Sequence, residues 1–248
     1  MNAAAIKRMI SMKILIFIIC IMGIGSTAAF LDDGVDQIIL DSITEFKNLS
    51  DYTCRLDKKV NKAGRIYNDL DIFVKYKKPG HYYFRWEEGR LSGREVIYVA
   101  GKNKDKMVVH PGGFFRFFTL RLDPEGREAM KRNHHSLRES GIEKIITIIE
   151  EDYYRSKKTG LGTIRLFEEN SVDGRDVWVI HCEFPEKREF YSHRIILYFD
   201  KELKLPIKIT VFDWADTLFE EYYFRDLKIN TGIEDRDFDP KNPEYRFF

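Results

Sequence analysis

The sequence predicts an α+β fold that is mainly antiparallel β: a curled, incomplete barrel of about ten strands with an N-terminal helix and a helical lid. Apolar and polar residues alternate with a period of two along much of the chain, which is typical of half-buried antiparallel strands. Two other stretches repeat apolar residues at helical spacing. A twisted sheet of roughly ten strands curls, and its concave apolar face then needs a cover, which the amphipathic helices can supply.

The first 29 residues are typical of a secretory signal peptide. Basic residues precede an apolar run over 14–24, and small residues follow at 25–29. The run is shorter than the roughly 20 apolar residues that a membrane span needs. We therefore expect cleavage near Ala29 and export to the periplasm or another part of the cell envelope. An uncleaved membrane anchor is the alternative interpretation of this segment.

The rest of the chain, residues 30–248, is expected to form a single domain. No linker, repeat or low-complexity stretch interrupts it, and its length suits one β-rich domain. The whole chain carries 41 basic and 40 acidic residues, a balance that gives no reason to expect a nucleic-acid partner. Aromatic residues make up 14% of the chain, and such residues both favour strands and line apolar pockets.

The N-terminal half is predicted to be one helix followed by strands. An aspartate pair at 32–33 can cap the helix, and its apolar stripe ends near Asn48. The segment 61–64 and the dipeptide Pro79-Gly80 are typical turn sequences. Strands are predicted at 52–60, 69–77, 82–86, 95–100, 106–110 and about 114–120.

Two helices are predicted in the middle of the chain, and strands again after them. Asp123-Pro124 is typical of a helix start, and this helix should reach about Arg132. A second helix begins near Gly141. Strands resume over about 163–229, with Asp173-Gly174 as a hairpin turn. The tail beyond them is polar, which predicts an extended segment on the surface.

The residues that we expect to contact a ligand lie on the strands and on the second of the middle helices. Tyrosine and tryptophan combine an apolar ring with a polar tip, which suits an amphipathic ligand, and ordinary core packing is the alternative for these rings. An isoleucine stripe on the helix would close the cavity, and burying its four side chains is worth on the order of 6–12 kcal/mol before entropy is counted. The candidates are Tyr82, Phe84, Trp86, Arg94 and Tyr98 on the strands and Ile142, Ile145, Ile146 and Ile149 on the helix.

The sequence carries no catalytic or metal-binding motif. Its six histidines are scattered without His-x-x-x-His spacing, and both Cys-x-x-Cys and Gly-x-Ser-x-Gly are absent. We therefore predict that the protein is not an enzyme, binds no metal and needs no cofactor. Asp213, Asp216, Glu220 and Glu221 cluster near the last strand and leave an envelope hydrolase as the lesser alternative.

Two cysteines would remain after signal cleavage, Cys54 and Cys182, both on the apolar side of predicted strands. An oxidising compartment would permit a disulfide between them if the two strands bring them close enough. Two buried free thiols are the alternative.

Several short sequence motifs occur one after another along the chain. Together they span nearly all of residues 30–248. They are Tyr52-Thr53-Cys54, residues 94–99 (REVIYV), His110-Pro111-Gly112-Gly113, residues 122–126 (LDPEG), Phe212-Asp213-Trp214 and residues 237–245 (DFDPKNPEY). Together they resemble a bacterial family, the domain of unknown function numbered 1571. That family is similar in fold to the periplasmic carriers of outer-membrane lipoproteins (LolA/LolB-like), incomplete barrels in which a helical lid covers bound acyl chains.

The resemblance implies an envelope protein that binds a lipid, an acyl chain or a lipoprotein, with envelope proteins as further partners. The carriers latch their lid with an arginine, and no motif places it here; Arg85 and Arg94 are candidates by their position in strands. The predicted function is therefore non-catalytic binding in a lidded apolar cavity. The alternative is a structural or protein-interaction module whose cavity is filled by side chains.

Overall fold

Eleven antiparallel strands form one sheet in the computed structural model of the protein, which describes residues 33–113, 117–186 and 189–247. The predicted signal peptide lies outside these residues. The strands are β1 (Asp51–Lys62), β2 (Arg65–Lys77), β3 (His81–Trp86), β4 (Glu95–Val99), β5 (Met107–His110), β6 (Leu120–Leu122), β7 (Thr163–Val172), β8 (Arg175–Glu183), β9 (Arg194–Asp200), β10 (Pro206–Phe212) and β11 (Leu218–Ile229).

The sheet is open, because its two edge strands, β6 and β7, do not pair with each other within the described part of the chain. The order across the sheet is β6-β5-β4-β3-β2-β1-β11-β10-β9-β8-β7, so the first and last strands meet in the middle. The three helices are α1 (Asp33–Asn48), α2 (Arg127–Met130) and α3 (Gly141–Thr159). The last two lie in the connection between the edge strands. This arrangement confirms the predicted incomplete barrel with helices.

Local sequence explains why the predicted hairpins form. In β2, Ile72, Val74 and Tyr76 are buried while the residues between them are partly exposed, which is the period-two pattern of a strand with one covered face. The turn between β7 and β8 needs a left-handed backbone at both central residues, and Asp173 (φ 50°) and Gly174 (φ 77°) adopt it. Asp-Gly is favoured there because both residues tolerate positive φ.

The main hydrophobic core lies between the concave face of the sheet and the helices α1 and α3. Ile39 and Ile43 of α1 and the isoleucine stripe of α3 are buried in the same cluster as the inward-facing side chains of the strands. Helix α1 packs against α3 and β7, and α3 packs against β10. Within the described residues, no helix is long and apolar enough to cross a membrane.

The C-terminal tail covers part of the opposite, convex face. It contains a short 3₁₀ helix at Asp235–Phe238, where an extended segment was predicted. Phe238 is buried against β3 and β4 with Tyr83, and the rings of Tyr83 and Tyr245 stack with their centroids 4.2 Å apart. The sequence suggested a polar wrap because about half of the tail residues are charged, yet the few aromatic side chains of the tail decide where it lies.

Two predicted elements near the β5–β6 connection differ from the structure. The strand predicted at about 114–120 is shorter and later, because β6 covers only Leu120–Leu122 and residues 114–116 lie outside the described chain. The helix predicted from Pro124 begins at Arg127 and has four residues. The reason is local: Asp123 Oδ1 accepts from the backbone N–H of Glu125 at 2.9 Å, so this aspartate closes a turn instead of capping a helix.

Cys54 and Cys182 are both buried and both free. Burial raises the pKa of each thiol, because the thiolate would lose its hydration in the core. The two thiols are therefore neutral, unreactive side chains of the core. This is the alternative of two buried free thiols, and not the disulfide.

The tail's anchoring role predicts a stability effect. Replacing Phe238, which is 4% exposed, with alanine should lower the free energy of unfolding by about 3 kcal/mol, because a buried aromatic ring leaves a cavity. The matched control is Phe118→Ala, whose ring is 60% exposed and should change stability by less than about 0.5 kcal/mol. Urea unfolding followed by circular dichroism measures both. Equal midpoints for the two variants would contradict the assignment of Phe238 to the core.

Candidate functional site: two adjoining cavities under a polar cover

A ladder of aromatic rings crosses the concave face from the core to the open side. The ring centroids of Tyr76 and Tyr82 lie 4.9 Å apart, those of Tyr82 and Phe84 5.9 Å, and those of Phe84 and Trp86 6.2 Å. The side chains share one face because they alternate along β3 or stand opposite each other on β2. Tyr82 is fully buried, whereas Trp86 is only partly covered. The ladder therefore leads from packed core to accessible space.

The first cavity lies at the end of this ladder that Phe84 and Trp86 form, and it has a volume of about 110 Å³. Leu56 and Ile72 of the sheet, Phe84 and Trp86 of the ladder, and Ile145 and Ile148 of α3 form its apolar walls. Polar groups border the same space. They are Lys58, Asn133, His135, Ser136, Glu139, Ser140, Lys144, Glu220 and Tyr222.

The second cavity lies beside the first, toward the β6 edge, and has a volume of about 300 Å³. The two share four lining residues, Lys58, Trp86, Asn133 and Leu137, so only these side chains separate them. Its apolar walls include Val96, Met107, Val109 and Leu122. Its polar lining is Lys58, Asp69, Arg94, Glu128, Arg132 and Asn133. A space with apolar walls and few polar groups is the usual form of a small-molecule site.

Residues 123–140, here called the covering segment, close both cavities and are held to the sheet by polar contacts. Lys58 Nζ donates to Asn133 Oδ1 at 2.8 Å, and Lys62 Nζ donates to the carbonyl oxygens of Met130 at 2.6 Å and Asn133 at 2.5 Å. Arg132 pairs with Asp69 on β2. Lys58 and Lys62 point inward from β1 toward the covering segment. Charged contacts, rather than an apolar stripe, therefore attach this segment to the sheet.

A buried carboxylate on β11 holds the later part of the covering segment. Glu220 Oε1 accepts from Tyr191 Oη at 2.6 Å and lies 3.3 Å from His135 Nε2, and its Oε2 accepts from Tyr222 Oη at 3.0 Å. Burial acts to raise the pKa of Glu220, but the contacts with His135, Tyr191 and Tyr222 outweigh it and leave the pKa below its usual value. Glu220 is therefore ionised at neutral pH beneath the cover.

Helix α3 is attached differently, through tyrosines that hold its first turn. Tyr76 Oη donates to Glu143 Oε2 at 3.0 Å, and Tyr82 Oη lies 3.2 Å from the Ser140 carbonyl and 3.3 Å from the same glutamate oxygen. Tyr52 Oη accepts from the N–H of Ile142 at 3.4 Å. Burial raises the pKa of all three phenols, so they stay protonated at neutral pH.

Glycine is required where α3 begins. Gly141 has φ +71°, and a Cβ there would lie 2.3 Å from Tyr52 Oη. A side chain would therefore be strained by its backbone conformation and would also displace the tyrosine. The first turn of α3 can approach the sheet this closely only with glycine at its start.

The comparison with known proteins assigns the chain to a family. A family model described as "Protein of unknown function (DUF1571)" matches residues 49–247. The chain belongs to this family. No curated protein matches the sequence.

Solved structures with the same fold as this DUF1571 protein have little sequence identity to it. LprF from Mycobacterium bovis superposes with a TM-score of 0.50 at 11% identity, over 82% of this chain and 96% of that chain. A putative outer membrane lipoprotein-sorting protein domain from Vibrio parahaemolyticus has a TM-score of 0.36 at 12% identity, over 82% and 95% of the two chains. A LolA superfamily protein from Nitrosomonas europaea has a TM-score of 0.31 at 12% identity, over 83% and 97%. The superposition on LprF shows a shared fold.

The structure divides the sequence-predicted site residues into two groups. Phe84, Trp86 and Ile145 line the first cavity, and Trp86 and Arg94 line the second. The remaining candidates are buried in the core: Tyr82, Tyr98, Ile142, Ile146 and Ile149. Arg85, the other arginine considered for a latch, forms an ion pair with Glu87 on the far side of the strand.

Sequence reasoning missed several residues that line the cavities, and two of them carried a visible signal. Lys58 follows the buried residues Cys54 and Leu56 at period two, and Glu220 precedes Tyr222 and Phe224 in the same way. A charge at an inward position of a strand needs a partner or a function. Leu137 and Arg132 carried no such signal, because the covering segment has no helical or strand periodicity from which the orientation of its side chains could be predicted.

The two cavities combine apolar walls with a few charged groups. Across residues 33–113, 117–186 and 189–247, no group of three or more histidines, cysteines or carboxylates is placed to hold a metal ion. Apolar walls with a few charged groups at one side suit a molecule that has an apolar chain and a polar end.

The polar attachment of the covering segment can be tested by hydrogen exchange. Glu220→Gln removes the charge that holds His135 and two tyrosines, so amides of residues 133–139 should exchange about tenfold faster, corresponding to the loss of about 1.4 kcal/mol of local stability. Amides of α3 should be unaffected. The control is Glu88→Gln, which removes an exposed carboxylate. Unchanged exchange at 133–139, or equal acceleration in α3, would contradict the attachment described.

Proposed function

We propose that this DUF1571 protein is an exported, non-catalytic binding protein for a lipid, an acyl chain or the acylated end of a lipoprotein. The observation that carries the proposal is the pair of adjoining cavities on the concave face, lined by the aromatic ladder and closed by a segment that polar contacts hold in place. A cavity with a removable cover suits a ligand that must be taken up and released.

The covering segment, rather than α3, is proposed to open. The isoleucine stripe of α3 buries four apolar side chains, and exposing them would cost on the order of 6–12 kcal/mol. The covering segment is held by polar contacts with Lys58, Asp69 and Glu220, and when it lifts the groups on both sides of each contact return to water, which offsets much of the loss. We therefore propose residues 123–140 as the lid, in place of the helix segment Ile142–Ile149 that the sequence predicted.

The proposed location follows from the N-terminal sequence. Residues 1–29 would direct export and be removed near Ala29, and residues 30–248 would form the mature domain in the periplasm or elsewhere in the envelope. Lipid or acyl chains and envelope proteins are available there as partners, and nucleic acid is not.

The arrangement of the acidic residues near the last strand supports a non-catalytic role. Asp213 Oδ1 accepts from the N–H groups of Ala215 and Thr217, both at 2.9 Å, so it shapes the turn before β11. Asp216 pairs with Arg194 at 2.8 Å. Glu221 pairs with Lys59 at 2.8 Å on the opposite side of the strand from Glu220. These carboxylates serve the turn and the sheet, and they do not converge on one cleft.

Filling the shared boundary of the cavities tests the proposal. Leu137→Trp places a larger ring between the two spaces and should weaken uptake of a fluorescent dodecanoyl probe at least about tenfold, because the added ring occupies the volume of the chain. The matched control, Leu70→Trp, puts the same ring on an exposed position of β2 and should bind as the wild type does. Equal probe affinity for both variants, with both folded by circular dichroism, would refute binding in these cavities.

A further inference from the structure

The second cavity carries more positive than negative charge next to its apolar walls. Three cationic side chains line it, Lys58, Arg94 and Arg132, and the buried carboxylate among its lining residues is Asp69. Asp69 already has two cationic partners, since it pairs with Arg132 and lies 3.4 Å from Lys58 Nζ. Glu128 also lines the cavity, but it is exposed at the rim, where water screens it. Arg94 is left without a carboxylate within ion-pair distance among the described residues.

Hydrogen-bond donors around the same cavity are left unpaired. The Nε atoms of Arg94 and Arg132 and the Nε1 atom of Trp86 are buried and have no acceptor within the part of the chain that the structure describes. Buried donors in folded proteins are almost always paired, because an unpaired donor has lost its hydrogen bonds to water and gained none in return. All three belong to residues that line the second cavity, and all three are donors. These three atoms have almost no accessible surface, so a ligand in the cavity would pair with them only after the side chains turn toward it.

The electrostatics of Arg94 agree with this geometry. Burial lowers the pKa of its guanidinium, and Arg132 lowers it further, while Asp69 opposes them too weakly to restore it. A negative charge near Arg94 would reverse this shift. Planar guanidinium groups bind phosphate and carboxylate oxygens through paired hydrogen bonds, which makes arginine the residue suited to such a group.

We propose that the second cavity binds the anionic headgroup of an amphiphile, a phosphate or a carboxylate, through Arg94 and Arg132, with Trp86 as an additional donor. The apolar chain would run from this headgroup along Met107, Val109 and Leu122 or past Trp86 into the first cavity. The proposal rests on the proposed function, because it names the charge of the ligand that those cavities take. It names the ligand group that Arg94, a candidate for ligand binding and for the latch in the sequence, would contact.

The test compares amphiphiles of equal chain length by isothermal titration calorimetry below their micelle concentrations. Dodecyl phosphate should bind the wild-type protein at least about tenfold more tightly than dodecyl maltoside, since charge-assisted hydrogen bonds form only with the phosphate. Arg94→Gln should remove most of this difference without changing the affinity for the maltoside, and Arg94→Lys should retain part of it. The control Arg90→Gln removes the same charge from an exposed side chain outside the cavity lining. Because Arg90 acts on Arg94 only through space, this change should lower the affinity for dodecyl phosphate far less than Arg94→Gln does.

The other outcomes separate the two proposals. Equal binding of both amphiphiles, or an equal loss in the Arg94 and Arg90 variants, would overturn the headgroup assignment and leave the binding function in place. Binding of inorganic phosphate as tight as that of dodecyl phosphate would overturn it too, because the site would then hold a free anion. If neither amphiphile binds the wild-type protein, the headgroup assignment and the proposed function both fail.

Discussion

The attachment of helix α3 to the sheet determines where every other part of the concave side lies. An open, curled sheet exposes a broad apolar face, and burying the isoleucine stripe of α3 covers much of it. Apolar contact alone is not directional. The hydroxyl groups of Tyr52, Tyr76 and Tyr82 around the first turn of α3 set its position along the sheet, and Gly141 allows the close approach. Because the covering segment ends at this turn, the same anchor fixes where the cavities can form.

Two kinds of attachment follow, and they divide the concave side into a permanent part and a part suited to movement. Helices α1 and α3 are held by buried apolar surface, which is costly to expose. The covering segment between α3 and β6 is held by charged side chains on strands, among them Lys62 and Glu220, and opening returns these groups and their partners to water. The cavities lie at the boundary between the two. This arrangement explains how an aromatic ladder can belong to the core at Tyr82 and to a binding surface at Trp86.

The sequence predicted those elements whose residues carry a local period. The alternation in β2 and the isoleucines of α3 needed no long-range information, and both the strands and the open sheet with helical cover are confirmed. Asp123 was misread because an aspartate before a proline can close a turn as well as cap a helix. The full lining of the cavities could not be predicted, since it depends on which side chains of β1, β3, β11 and the covering segment meet. Lys58 and Glu220 were the available signals, as charges on the buried side of strands.

Native mass spectrometry of the protein isolated gently from the envelope of its own host tests the central claim most directly. The intact mass is measured before and after extraction with organic solvent. We expect an extractable amphiphile at a defined stoichiometry, lost on extraction and restored when the same molecule is added back. A single unliganded mass in both samples, with no uptake of added lipid, would contradict a binding role for the cavities. The outer surface and the tail would then be the place to look for a function in protein interaction.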